Sequence, residues 1–322
     1  MRPSRWLVYA LGGGLGHATR GLALARAAAK RGHQVRVLVN ATRFPVGAEP
    51  EPGVTLERVE GGRPEVERAL ERLWAERFDA WVVDAFPRGL AGELVGWFER
   101  MPKARAWIHR DLVPAYAQRP EVLEAARHYP LSLVPGDDEE APLAAVVGAR
   151  RTVPWLIRDR AELCAPAEAR RRLGAREGQR VVVVSGAGTA AEAEEMARLA
   201  TALQASLGPQ VVVRWVSPED GGGGHWPLLE LLPGVDVLVG AGGYHTVNEA
   251  RATGTPLVAL ARERLYDRQR KRLRPDEYAE GPGEVLRKVG ALLGGGQPRA
   301  PVPDYGNGAH QAVRWIEELV GR

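Results

Sequence analysis

The chain of 322 residues has one cysteine, three methionines and four phenylalanines. The lone Cys164 excludes an intrachain disulfide framework and fits a reducing compartment, so it reads as a packed thiol. No apolar run near the start has the length of a signal peptide or a membrane span, and the expected location is the cytoplasm. Several chemical signatures are missing as well. No lysine sits where a P-loop needs one, and no Gly-x-Ser-x-Gly elbow is present. The histidines at 17, 33, 109, 128, 225, 245 and 310 form no His-x-x-x-His pair, so no metal site is expected. The net charge of +4 is not concentrated, and the tryptophans are scattered rather than arrayed for stacking. A nucleic-acid partner is therefore not expected. Among the basic residues arginine dominates, proline is plentiful and Asn is scarce. That bias is compatible with a thermophile, though a GC-rich genome produces it too.

What the chain does have is a repeated order of apolar strand, glycine turn and amphipathic helix. The pattern predicts strands over 6–11, 34–40, 54–59, 80–84, 104–109 and 131–134. Helices are predicted over 18–31, 64–77 and 89–100, the first closed by Gly32 as a left-handed C-cap. The order restarts at 180–184, enters the loop SGAGT, and continues with a helix over 190–207 and strands over 211–216, 235–239 and 257–260. Strands alternating with helices give the α/β class and parallel sheets. Two restarts give two Rossmann-like domains facing a central cleft, joined near residues 152–160. The boundaries read as 1–155, 156–306 and a last helix within 307–322 that follows a Gly/Pro-rich linker. The segments 221–224 and 136–140 read as loops.

Residues 240–269 carry the strongest functional signal. The turn Gly242-Gly243-Tyr244-His245-Thr246 opens a helix, and a helix start behind glycines offers free N–H groups to an anion such as a diphosphate. Asp267 and Gln269 offer one pure acceptor and one donor-acceptor group, which suits sugar hydroxyls. Together they suggest a nucleotide-sugar site. The order Gly242, Gly243, Thr246, Glu249, Gly254, Pro256, Asp267, Gln269 resembles the donor-site signature of glycosyltransferase family 28, whose best-known member adds N-acetylglucosamine to a lipid-linked precursor. The chain departs from that pattern at Ala261, where the family has proline, and lacks the Asn-Ala pair after Gln269. The resemblance implies a GT-B fold and a role for Glu249 on the ribose. A plainer alternative is a capping box, with Thr246 at N-cap and Glu249 at N3. For the arginines after Gln269 the plain reading is a solvated, charged helix.

The first glycine loop, 12–27, follows the first strand. The Gly-x-Gly-x-x-Gly spacing cannot be laid on its glycines, and the next strand ends without the acid that holds an NAD ribose. Gly13, Gly14 and Gly16 therefore read as the acceptor side. The string Gly14 to Arg20 also resembles predicted glycosyltransferases and nucleotide-sugar hydrolases of pseudaminic acid synthesis. That resemblance places His17 over the anomeric carbon, and an imidazole suits a general base at neutral pH. Arg20, one turn on, is either an anion ligand or a surface arginine. The second loop contributes Gly186, Gly188 and Thr189 to the phosphates in the family. It also satisfies Gly-x-Gly-x-x-Ala through Ala191, which keeps a dinucleotide open. Asp84, His109 and Arg110 follow strand ends and read as acceptor-side residues, with Arg110 and Asp111 as readily structural.

These readings converge on an inverting glycosyltransferase that needs no metal and no cofactor. Its expected donor is a UDP-sugar and its acceptor is open. The Asp-x-Asp of metal-dependent sugar transferases is absent. Peripheral membrane contact is expected only if the acceptor is lipid-linked. A nucleotide-sugar hydrolase and a non-catalytic nucleotide-sugar or dinucleotide binder remain alternatives.

Overall fold

A computed structural model describes residues 2–40, 51–136, 140–186, 190–217, 225–262, 265–295 and 301–321. The first sheet holds β1 (Arg5–Tyr9), β2 (Gln34–Val39), β3 (Val54–Arg58), β4 (Ala80–Asp84), β5 (Ala104–Ile108), β6 (Leu131–Pro135) and β7 (Arg150–Thr152). Their order is β3-β2-β1-β4-β5-β6-β7, and every pairing is parallel. The second sheet holds β8 (Arg180–Ser185), β9 (Val211–Val216), β10 (Val237–Gly240) and β11 (Leu257–Ala259) in the parallel order β11-β10-β8-β9. Each order reverses direction once, between β1 and β4 and between β8 and β10. Ligands of open parallel sheets bind outside the carboxyl ends of strands at such reversals.

The strands are apolar on both faces because helices cover both faces. In β1, Trp6 and Val8 enter one core while Leu7 and Tyr9 enter another. In β8, Val181 and Val183 belong to the same core as Trp6 and Val8, while Val182 and Val184 line a third. One continuous apolar layer thus runs through both halves, and it includes Trp155, Leu156 and Ile157 of the connecting segment.

Three local expectations fail for identifiable reasons. The segment 89–100 forms turns and one short 3-10 turn, Val95–Trp97, rather than a helix. Gly89 and Gly92 adopt φ of 82° and 83°, which a right-handed helix cannot contain. The first helix spans Leu15–Ala29 and ends at Lys30 in the right-handed region, so Gly32 (φ 90°) shapes the turn beyond it and is not the C-cap. Strand β7, RRT, has no apolar signature and was not expected.

The last helix, Gly308–Val320, is capped by Asn307 and packs on the first helix and on β5, β6 and β7. Glu317 fixes it there. Its buried carboxylate accepts from Arg31 Nε at 2.6 Å and from Nη2 at 2.8 Å, and meets His33 Nε2 at 2.9 Å. His33 Nδ1 accepts from the Ser4 amide, so Nε2 carries the proton toward Glu317. Burial alone raises the Glu317 pKa, but Arg31 and His33 outweigh it and hold the carboxyl below its usual range. A depressed carboxyl stabilises the fold above its unfolded pKa and loses that contribution as pH falls. Glu317→Gln is expected to cost about 1–3 kcal/mol at pH 7. Denaturant melts should show the deficit shrinking below about pH 4.5.

Among the described residues no helix is long and apolar enough to cross a membrane.

Candidate active site

The reversal between β1 and β4 brings His17, Arg20 and Asp84 together. His17 and Arg20 lie three residues apart on one face of the first helix, whose start is set by Gly14. Asp84 ends β4, and Ala85 behind it turns the chain with φ of 62°, a strained conformation for a residue with a Cβ. His17 Nδ1 lies 2.6 Å from Asp84 Oδ2, and its ring stacks on Phe86 at 5.6 Å. Gly12 is required here, since a Cβ would fall 2.0 Å from the His17 ring. Arg20 donates through Nε to Asp84 Oδ1 and through Nη2 to Oδ2, both at 2.7 Å, with both side chains fully buried. Arg20 is therefore not a surface residue, and it orients Asp84. Burial works to raise the Asp84 pKa, but the charges of Arg20 and His17 hold it far below the usual carboxylate range. An ionised Asp84 fixes the Nδ1–H tautomer and leaves Nε2 as the basic lone pair. Gly13 and Gly14 are exposed and Gly16 half-buried, and a Cβ at any of them would meet open space.

The reversal between β8 and β10 lies opposite. The helix Tyr244–Thr253 starts at Gly243, which has no side chain to cap its first turn. The expected capping box does not form: Thr246 is the third helical residue and Glu249 the sixth. Glu249, 12% exposed, gains no charge partner closer than His245 Nδ1 at 3.8 Å, and burial pushes it up to about 8. Burial and the nearby Arg20 push His245 down to about 3, so its ring is neutral and Nε2 donates to the Gly16 carbonyl at 3.1 Å. That bond ties the second glycine turn to the first loop. A Cβ on Gly242 would come within 3.1 Å of the Gln269 carbonyl, so the turn requires glycine there. Gly186 ends β8 against Trp215, whose Nε1 would lie 2.7 Å from an added Cβ. Ser185, Gly186, Ala241, Leu260 and Arg262 line a small pocket beside it. Gly188 and Thr189 lie outside the described residues, as does the 221–224 loop.

Charged residues bridge the halves. Asp267 accepts from Arg110 at 3.4 Å and pairs with Arg272. Burial opposes its ionisation, yet Arg110 and Arg272 keep its pKa below the usual value. Arg268 pairs with Asp111 and, at 2.7 Å, with Glu140. Arg272 also donates to the Gly242 carbonyl at 3.4 Å. Of the arginines after Gln269, Arg272 is a structural partner while Arg270 and Arg274 are exposed, and in place of the expected helix the 3-10 turn Gln269–Arg272 forms. Gln269 is buried, and its Oε1 accepts from the Arg262 amide at 3.1 Å. The Tyr244 ring sits under two guanidiniums, Arg20 at 5.4 Å and Arg110 at 5.2 Å, and its hydroxyl accepts from the Trp155 amide. His109 stands apart. It is fully buried, stacks on Trp107 at 4.3 Å, and its Nε2 accepts from the Leu143 amide at 2.9 Å.

Sequence reasoning missed Gly12 and the structural roles of Tyr244 and Trp155. Gly12 carried a signal, being part of the glycine run before His17. Trp155 carried none beyond its place at the join.

No protein-family model and no curated protein sequence matches the chain. Solved structures do. The spinosyn forosaminyltransferase SpnP matches with TM-score 0.60 and 17% identity over 100% of both chains. Os79 from O. sativa, in complex with UDP, matches with TM-score 0.63 and 15% identity over 98% of this chain and 100% of that one. The spinosyn rhamnosyltransferase SpnG, complexed with thymidine diphosphate, matches with TM-score 0.59 and 17% identity over 98% and 96%. The fold is that of GT-B glycosyltransferases.

Two outcomes follow from the buried carboxyls. Asp84→Asn leaves Arg20 buried without a counter-charge, and equilibrium unfolding should show a loss of about 3–5 kcal/mol. Glu249 behaves oppositely. The unfolded chain ionises it near the ordinary value of 4.5 while the fold retains the proton to about 8, so stability is lost as pH rises between the two. Melting of Glu249→Gln should therefore gain on the unsubstituted protein from pH 5 to 8; a pH-independent difference would contradict the assignment.

Proposed function

We propose that the chain is an inverting, metal-independent glycosyltransferase that uses a nucleoside-diphosphate sugar, with a UDP-sugar as the first donor to test. Residues 1–155 form its acceptor side and 156–306 its donor side, with the terminal helix bound back on the first. The observation that carries the reading is the His17–Asp84 contact of 2.6 Å at one reversal point, set opposite an uncapped helix start at the other. The fold shared with nucleotide-bound glycosyltransferases supports it.

In this reading the amides from Gly243 onward hold the diphosphate, and Glu249 reads the ribose hydroxyls. A neutral carboxyl suits a diol, since it donates one hydrogen bond and accepts others. Asp267 and Gln269 edge the sugar subsite through the loop they brace. The acceptor hydroxyl lies over Gly13, Gly14 and Gly16. His17 Nε2 takes its proton as the oxygen forms a bond to the anomeric carbon. The bond from that carbon to the diphosphate oxygen breaks on the opposite side, which inverts the configuration. The released diphosphate carries the charge, and helix amides stabilise it without reorganising. Asp84 stabilises the imidazolium that forms, and Arg20 keeps Asp84 ionised and aimed. The motif resemblance to family 28 places the lipid-linked acceptor among those worth testing.

His17→Gln should lower turnover by about 10²–10⁴-fold, the usual range for a general base, while nucleoside diphosphate affinity stays within twofold or so. Intact turnover would overturn the assignment of His17. Release of nucleotide from donor alone, at the rate seen with acceptors, would make the attacker water and the enzyme a hydrolase. Tight donor binding with no product from any donor would make it a binding protein.

A further inference from the structure

A second cavity, of about 630 Å³, opens beside the helix Tyr244–Thr253 at Val247, Asn248, Arg251 and Ala252. Its walls come from five places: that helix, the end of β6 at Pro135–Gly136, the connecting segment at Val153–Pro154–Leu156, the turn after Gln269, and the approach to the terminal helix at Asp304–Tyr305–Gly306. Its size lies within the range of small-molecule sites. Nothing in the transfer reaction described above uses it.

Its chemistry is split. Val153, Leu156, Val247 and Leu273 make an apolar wall, while Arg251, Lys271, Arg272 and Arg274 line the rest, the first three paired with Glu277, Glu140 and Asp267. Asp304 is almost fully exposed and lies 3.8 Å from Arg160. Arg274 is exposed and makes no ion pair among the described residues. An apolar wall beside the Arg274 guanidinium suits a ring or short chain that carries a phosphate, because guanidinium binds phosphate through paired hydrogen bonds.

The cavity also touches the candidate donor site. Arg272 lines it and at the same time donates to the Gly242 carbonyl and pairs with Asp267. A phosphate that draws on Arg272 weakens its hold on both. We propose that this cavity is a second binding site, for a small organic phosphate, coupled through Arg272 to the glycine turn of the donor site. The coupling rests on the donor-site reading; the cavity's own ligand chemistry does not.

The test is calorimetric titration of the full chain with phenyl phosphate, with inorganic phosphate and phenol as single-feature probes. Phenyl phosphate should bind at one saturable site, more tightly than either fragment. Arg274→Glu reverses one wall charge at an exposed position, and Ala252→Phe fills the cavity. Each should weaken phenyl phosphate by about tenfold or more, with melting curves confirming the fold. UDP affinity of both variants should equal that of the unsubstituted protein when phenyl phosphate is absent. In the unsubstituted protein, saturating phenyl phosphate should change the UDP Kd by about fivefold, and UDP should change the phenyl phosphate Kd by the same factor. No saturable binding, or binding unchanged in both variants, would overturn the proposal. So would simple displacement by UDP with Arg274→Glu unaffected. Arg274-dependent phenyl phosphate binding in a protein that ignores UDP would uphold the cavity's ligand class and sink the donor-site reading instead.

Discussion

The arrangement depends on one buried carboxylate. Asp84 sits at the end of a fully covered strand, where ionisation is costly, and it is ionised only because Arg20 and His17 meet it from one helix face. Removing a charge from such a group leaves its partner buried and unpaired, so the three residues stand or fall together. The same pairing gives the histidine a defined tautomer. Stability and chemistry therefore rest on one contact, and the strain at Ala85 is located beside it.

The opposite half follows the reverse logic. There, among the described residues, the carboxyl of Glu249 has no cation and the imidazole of His245 has no anion close enough to charge it. One site thus holds two buried carboxyls in contrasting states, Asp84 ionised and Glu249 protonated, set by burial and by where arginines lie. The neutral Glu249 and His245 lie against the glycine turn, where a diphosphate would bring charge of its own. The ion pairs among Arg110, Asp111, Asp267 and Arg268 then hold the halves in register without filling the turn.

Much of the fold was legible because its signals are periodic. Strands such as Ala80–Asp84 and Val211–Val216, and the helix Ala190–Leu207, fall where apolar runs and amphipathic spacing put them. Local reading failed where tertiary contacts decide. The span 89–100 has helical composition, but Glu93 turns back to accept from the Leu90 and Ala91 amides while Gly89 and Gly92 supply left-handed bends. Thr246 and Glu249 have capping-box spacing, yet the helix starts three residues earlier, because Tyr244 is drawn into the interface by Arg20, Arg110 and Trp155. In the site, His17 was legible from its motif. Its pairing with Asp84 was not, since the two lie 67 residues apart and only sheet order brings them together. The burial of Arg20 was equally invisible, as one sequence cannot tell a surface arginine from one that neutralises a core carboxylate.

The central claim is that a nucleoside diphosphate is gripped by the amides that open the helix Tyr244–Thr253. Backbone amide NMR during a UDP titration in the presence of EDTA tests it directly. The account predicts saturable, coincident shifts of the Gly243, Tyr244 and His245 N–H signals with no metal added. Saturation of UDP binding with those three signals unmoved would contradict it.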